Sequence, residues 1–249
     1  QSRSSAASDV YKRQDVDGFH TINIGQLASR ACNPQFVPCT PAGILRLLET
    51  VCSNDLSGKF AVVMGRSDIV GNPVSHLLRS RNCTVTQMHR YSTNVQEILA
   101  MADIVVVAIG QPGFVQGSWL KKGAVVIDVG INYVPDATKK SGERLIGDVD
   151  FASALPVVSA ITPVPGGVGP MTVAMLMENV LIAATRRAEY EASHPRGVTT
   201  LNPLTIQRPV PSDIEIARAQ VPKTLNTLAQ EIGIPVSYTH LTLPTIYSV

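Results

Sequence analysis

"DIVVVAIG" (residues 103–110) and "AVVIDVGIN" (residues 124–132) are apolar at nearly every position. A strand with one wet face alternates apolar and polar residues. Strands without that alternation must be covered on both faces, as in a parallel sheet flanked by helices.

Working outward, "FAVVMG" (60–65) is a β-branched run that ends in glycine. "NPVSHLLRSRN" (72–82) places Pro73 near a first helical turn and then Val74, Leu77 and Leu78 at helical spacing. "CTVTQMH" (83–89) reads as the next strand and "NVQEILAMA" (94–102) as the next helix. This alternation predicts an α/β fold with a doubly wound, Rossmann-type parallel sheet. Further short strands are expected at 144–149 ("RLIGDV") and around Ala160, then a long helix from about Met171 to Glu191. Upstream, "TPAGILRLLETV" (40–51) reads as a helix with Thr40 as N-cap and Pro41 in its first position.

Composition bounds the rest. The chain has 249 residues, 45% hydrophobic and 16% charged, enough to bury a core of one large or two small domains. Its 21 basic and 19 acidic residues are interspersed, so neither a nucleic-acid surface nor a polybasic membrane patch is expected. Cys32, Cys39, Cys52 and Cys83 form no C-x-x-C pair and have no histidines at metal spacing, so reduced thiols in a cytosol-like compartment are expected. The apolar runs at 104–109 and 171–185 are respectively too short and interrupted by Glu178 and Asn179, whereas a membrane span needs about 20 residues. No span is expected.

Residues 1–14 ("QSRSSAASDVYKRQ") and 236–249 ("VSYTHLTLPTIYSV") have no clear period and read as non-native extensions, with disordered native tails as the alternative. Residues 192–211 include Pro195, Gly197, Pro203, Pro209 and Pro211, which is linker composition.

Two stretches carry chemistry. "GRSDIVGNP" (65–73) follows the first strand and leads into a helix whose unpaired N–H groups could hold phosphate. It lacks G-x-G-x-x-G, so a plain tight turn is an equal reading. The second strand ends in "QMHRYST", which offers Arg90, with Arg66 across from it, where NAD sites usually present an acid. Two guanidiniums and no acid favour a 2′-phosphate and hence NADP, against Arg90 as a solvated strand-end charge. In "TPVPGGVGPMT" (162–172), three prolines and three glycines precede the long helix, either as a stiff turn or as backbone shaped to touch a ligand.

"DVDGFH" (15–20), "PCTPAG" (38–43), "GRSDIVGNP", "GQPGFV" (110–115), "DVGIN" (128–132), "GDV" (147–149) and "TPVPGGVGPMT" occur in that order. In this the chain resembles the methylenetetrahydrofolate dehydrogenase/methenyltetrahydrofolate cyclohydrolase family over residues 15–191. The resemblance implies NADP-dependent oxidation of methylenetetrahydrofolate, hydrolysis of the methenyl product to 10-formyltetrahydrofolate in the same cleft, and a homodimer through the cofactor domain.

By position, Gly65, Arg66 and Ser67 match the family's phosphate and ribose contacts. Ile131 matches the nicotinamide end, and Thr172 lies near the cofactor. Arg90 departs from the family, where serine is common. Pro165, Gly166, Gly167, Val168 and Gly169 match the folate-facing loop. Asp17 matches the acid that hydrogen-bonds the pterin, its local alternative being an Asx-turn with Gly18.

Residues 205–235 resemble the opening of a formate–tetrahydrofolate ligase domain, a fusion found in trifunctional cytoplasmic synthases, although no G-x-x-x-x-G-K-[ST] loop occurs. The family's Y-x-x-x-K segment precedes "DVDGFH"; Tyr11 and Lys12 lack that spacing, so no catalytic acid or base is assigned and little turnover is expected of this chain alone. The competing readings are a dinucleotide-binding module without catalysis and an unrelated Rossmann oxidoreductase that shares only the nucleotide site.

Overall fold

The computed structural model describes residues 14–29, 32–52 and 55–193. The chain divides into two units, Gln1–Arg187 and Ala188–Val249. Beyond residue 193 the second unit, with nearly all of the expected linker, the ligase-like segment and the C-terminal extension, lies outside the described residues, as does the N-terminal extension up to residue 13.

In chain order the elements are α1 (Thr21–Ala28), α2 (Cys39–Cys52), β1 (Phe60–Met64), α3 (Gly71–Ser80), β2 (Thr84–Met88), α4 (Val95–Leu99), β3 (Ile104–Val107) and a 3-10 turn (Gly117–Trp119). Then come β4 (Val125–Asp128), β5 (Asn132–Pro135), β6 (Glu143–Ile146), α5 (Phe151–Ala154), β7 (Ala160–Ile161) and α6 (Val168–Ser193). Five strands form a parallel sheet in the order β2-β1-β3-β4-β7.

The alternation hidden in the apolar runs is visible in the packing. Ala61, Val63, Ile104, Val106, Val125 and Ile127 face one core, shared with Ile44 and Leu48 of α2 and Val74 and Leu78 of α3. Val62, Met64, Val105, Val107 and Val126 face the other, with Leu99, Ala102, Leu120 and Ala154. Every residue of β3 and β4 is buried because each side chain has a helical layer to enter, whichever face it points from. Fully burying one such valine is worth about 1.5–3 kcal/mol, so these layers hold the sheet together.

Three expectations change. The run at 124–132 is not one strand: β4 ends at Asp128, and Asn132 starts β5, which pairs antiparallel with β6 in a separate hairpin. The strand expected at 144–149 therefore belongs to that hairpin and not to the main sheet. Thr40 is not an N-cap, because α2 already includes Cys39 and Pro38 O accepts from Ala42 N at 3.0 Å. The sequence reading also contained no counterpart of α1.

By length and composition α6 is apolar enough to cross a bilayer, contrary to the reading of residues 171–185. In this fold, however, its Asn179 is buried, and Nδ2 donates to Val16 O (2.8 Å) and Val37 O (3.0 Å). These two bonds dock α6 on the segments that precede α1 and α2.

Candidate functional site

β1 lies between β2 and β3, so the chain leaves its carboxyl end in one direction and later returns on the other side, opening a crevice where such sheets bind ligands. A cleft of about 580 Å³ occupies that end of the sheet. It is lined by Ser67 after β1, Ala108 and Gly110 after β3, Asp128 to Ile131 after β4, and the loop from Pro163 into α6 after β7.

The structure brings most of the expected site residues together. Ser67, Ile131, Pro165, Gly166, Gly167, Val168, Gly169 and Thr172 all line this cleft. Ile131, between β4 and β5, is 65% exposed, so its side chain presents apolar surface to the cleft rather than to the core. Thr172 Oγ1 donates to Thr40 Oγ1 at 3.0 Å, which joins the starts of α6 and α2 at the cleft wall.

Gly65, Arg66, Arg90 and Asp17 do not line it. Gly65 is needed by the chain itself: it has φ +124, and a Cβ would collide with Ala108 O. Arg66 is exposed just after β1 and Arg90 just after β2. These ends are adjacent, since Met64 is in register with Met88 and Gly65 N donates to Met88 O at 2.9 Å.

The start of α3 does not offer the free N–H groups expected of it. Ser67 Oγ accepts from Val70 N (3.2 Å) and Gly71 N (3.3 Å), Ser67 O accepts from Asn72 N (3.0 Å), and Pro73 has no N–H. The amides of Arg66, Ser67 and Asp68, one turn earlier, have no partner among the described residues. The unpartnered N–H groups among the described residues thus lie in the loop rather than at the start of the helix.

Asp17 is exposed and makes no hydrogen bond among the described residues. The turn that Asp17 was a candidate to close is closed by Asp15, whose carboxylate accepts from Phe19 N (3.0 Å), His20 N (2.8 Å) and Asn23 Nδ2 (2.7 Å). The Asx-turn alternative for Asp17 therefore falls away. Burial raises the Cys39 thiol pKa, and the nearby Asp17 charge raises it further.

The glycines of the loop differ in kind. A Cβ on Gly167 would meet Pro163 O at 2.6 Å and Thr162 Cβ at 2.8 Å, so this glycine serves the loop's own closure. Gly166 has φ +106, which excludes most side chains. At Gly169 a Cβ meets nothing within 4 Å, so no contact among the described residues accounts for this glycine.

Sequence reasoning missed the pair that shapes the cleft floor. Asp128 Oδ1 accepts from Gly130 N and Asp148 N, and Oδ2 from Val149 N, all at 2.9 Å. Asp148 Oδ2 accepts from Ile109 N (2.7 Å) and Gly110 N (2.9 Å), and Oδ1 from Asn132 Nδ2 (2.8 Å). Burial pushes the Asp128 carboxyl above its ordinary pKa; the three amide donors oppose this, and the Asp148 charge adds to it. The available signal was an aspartate at the end of a run of valines, which can be buried only with donors waiting for it.

The family pattern described as "Tetrahydrofolate dehydrogenase/cyclohydrolase, NAD(P)-binding domain" matches residues 38–188, more than half of the chain. The chain belongs to this family. It is 54% identical over 222 residues to the mitochondrial C-1-tetrahydrofolate synthase of Saccharomyces cerevisiae, a match covering 89% of the chain and 22% of that protein. It is also 54% identical over 241 residues to the cytoplasmic synthase of the same yeast, covering 94% of the chain and 25% of that protein. The chain thus spans about a quarter of these relatives, which include both compartments. Among solved structures it resembles the Trypanosoma brucei methylenetetrahydrofolate dehydrogenase-cyclohydrolase, solved with NADP and an inhibitor. There the TM-score is 0.68 with 45% identity, over 74% of this chain and 62% of that one.

Proposed function

We propose that this chain forms the cofactor side of a cleft in which methylenetetrahydrofolate is oxidised with NADP and the methenyl product is hydrolysed to 10-formyltetrahydrofolate. The observation that carries this reading is the convergence of Ser67, Ile131, Thr172 and the loop from Pro163 to Pro170 on one cleft at the carboxyl ends of β1, β3, β4 and β7. The NADP-bound trypanosomal relative supports the same cofactor.

The residues present fit a dinucleotide. Gly110 and Gly166 leave open space where side chains would stand, and the amides of Arg66, Ser67 and Asp68 are free to meet phosphate oxygens. Arg66 and Arg90, exposed just after the adjacent ends of β1 and β2, would supply the positive charge that a 2′-phosphate needs. When bound, the nicotinamide takes the hydride leaving the methylene carbon of the folate.

This chain's residues orient and shield that event. Ile131 covers the reacting end with an apolar surface, and Thr172, held by Thr40, fixes the mouth of α6. The loop from Pro165 to Gly169 lets backbone lie against the flat pterin, and the Asp17 carboxylate accepts its N–H groups. The group that activates water for hydrolysis is assigned to none of these residues. The same reading takes residues 205–235 as the opening of a ligase domain, a homodimer through the cofactor domain as the assembly, and the cytoplasm as the compartment, consistent with four free cysteines.

Calorimetric titration of the 249-residue chain with NADP⁺ and NAD⁺ tests the proposal. Binding of NADP⁺ tighter than NAD⁺ is expected; absence of binding to both at millimolar concentration overturns it.

A further inference from the structure

Arg90 is not a loose strand-end charge. Its guanidinium carbon lies 4.6 Å from the centre of the Tyr91 ring, and Nη2 donates to the Tyr91 hydroxyl. Tyr91 is 66% exposed, so its ring is not there to fill the core. It is nevertheless fixed in place. Tyr91 N donates to His89 Nδ1 at 3.2 Å, and the His89 ring meets the Tyr91 ring edge-on at 6.0 Å. The turn is closed by Ser92 N donating to His89 O (2.8 Å) and His89 N donating to Ser92 Oγ (2.9 Å).

This arrangement leaves the guanidinium able to bind. The cation–π contact takes up no N–H, and the tyrosine hydroxyl uses one of the group's five N–H donors. The other in-plane donors remain, and phosphate is gripped in the plane, edge to edge. Neither Arg90 nor Arg66 has an ion-pair partner among the described residues. An unrestrained arginine loses much rotamer freedom when it grips an anion, whereas one already held against a ring and its hydroxyl has less to lose.

We propose that Tyr91 is a specificity-determining positioning residue: it holds the Arg90 guanidinium at the end of β2 so that Arg90 and Arg66 together select a nucleotide bearing a 2′-phosphate. This rests on the NADP reading above. Tyr91 acts through Arg90 and touches no reacting atom.

The test is calorimetric titration of the full chain with adenosine 2′,5′-bisphosphate and adenosine 5′-monophosphate, with NADP⁺ and NAD⁺ in parallel. Tyr91→Ala should weaken the 2′-phosphorylated ligands about two- to fivefold, the size of an exposed cation–π contact, and leave the others within about twofold. Tyr91→Phe, which keeps the ring, should lose less. Arg90→Ala should weaken the 2′-phosphorylated ligands about ten- to a hundredfold, the scale of charge-assisted bonds.

If Arg90→Ala removes the discrimination but Tyr91→Ala leaves it intact, the role of Tyr91 is refuted while the cofactor reading stands. If Tyr91→Ala weakens all four ligands equally, Tyr91 is a general support of the turn and the proposal also fails. If neither Arg90→Ala nor Arg66→Ala changes the discrimination, the 2′-phosphate lies elsewhere and the assignment of the subsite itself is wrong.

Discussion

Replacing Asp148 with alanine removes the acceptor of three donors at once: the amides of Ile109 and Gly110 and the side chain of Asn132. Asp148 has no exposed surface, whereas Ile109 and Asn132 are half-buried. An unpaired buried donor costs about 1–3 kcal/mol, and partial access of water favours the lower end, so about 3 kcal/mol is expected for the three together. That is a large share of the roughly 5–15 kcal/mol by which a domain is stable. With a urea dependence of about 2 kcal/mol per molar, the unfolding midpoint should fall by about 1.5 M. Asp148→Asn keeps one oxygen for the two amides, and Asn132 can rotate its amide to meet the new NH₂, so a loss of about 1 kcal/mol is expected. Urea unfolding of the parent and both variants, followed by circular dichroism, measures the difference. A midpoint for Asp148→Ala within about 0.3 M of the parent would refute the reasoning, since that is about 0.6 kcal/mol, less than one unpaired buried donor. Equal losses in the two variants would show that charge, rather than the number of acceptors, holds the cleft floor.

Gly169→Ala lies in the first turn of α6 with nothing near its Cβ, so stability should rise by about 0.5 kcal/mol while folate affinity of an enzyme containing this domain falls. Unchanged folate affinity would remove Gly169 from the ligand surface. Asn179→Ala strips the donors from Val16 O and Val37 O at a buried position and should cost about 2 kcal/mol in thermal or urea unfolding; a neutral result would mean that α6 is not docked through this residue. Asp103 has its pKa lowered by its bonds to Lys121 and to Phe60 N. Its folded pKa is therefore below its unfolded one, and the stabilisation it provides at neutral pH is lost as pH falls through the folded value. Asp103→Asn should be less stable than the parent at pH 7, with the gap closing in acid; a gap independent of pH would contradict the assignment.

The sheet was legible because valine and isoleucine runs report burial on two faces, and those faces need nothing from distant sequence. Where β4 stops was not legible. Val129 and Ile131 resume the apolar pattern past Asp128, and two of the donors that hold the chain there come from Asp148 and Val149, about twenty residues downstream. Thr40 failed as a cap for a different reason: cap preference is local, but the carbonyl that begins α2 belongs to Pro38. The cleft residues were found through matched motifs, and their order along the chain was enough. Division of labour between Asp15 and Asp17 was not visible, since either could close a turn with Gly18 and only the fold shows that Asp15 does so. Likewise, the cation–π contact of Arg90 with its own neighbour depends on the turn from His89 to Ser92, which no spacing rule describes.

The Asp128 latch also sets an order of events during synthesis. β1 emerges first, and β2, β3 and β4 add outward from it. When β4 has left the ribosome, however, two of the three amides that neutralise its terminal carboxylate do not yet exist as folded chain. The end of β4 can close only once Asp148 and Val149 have been made, just before β7 completes the sheet at Ala160 and Ile161. A nascent chain that has emerged only as far as about residue 140 should therefore hold a formed core of three strands and an open, protease-sensitive fourth. The carboxylate that floors the cleft thereby acts as a timer, withholding closure of that end of the sheet until the strand beside it is about to arrive.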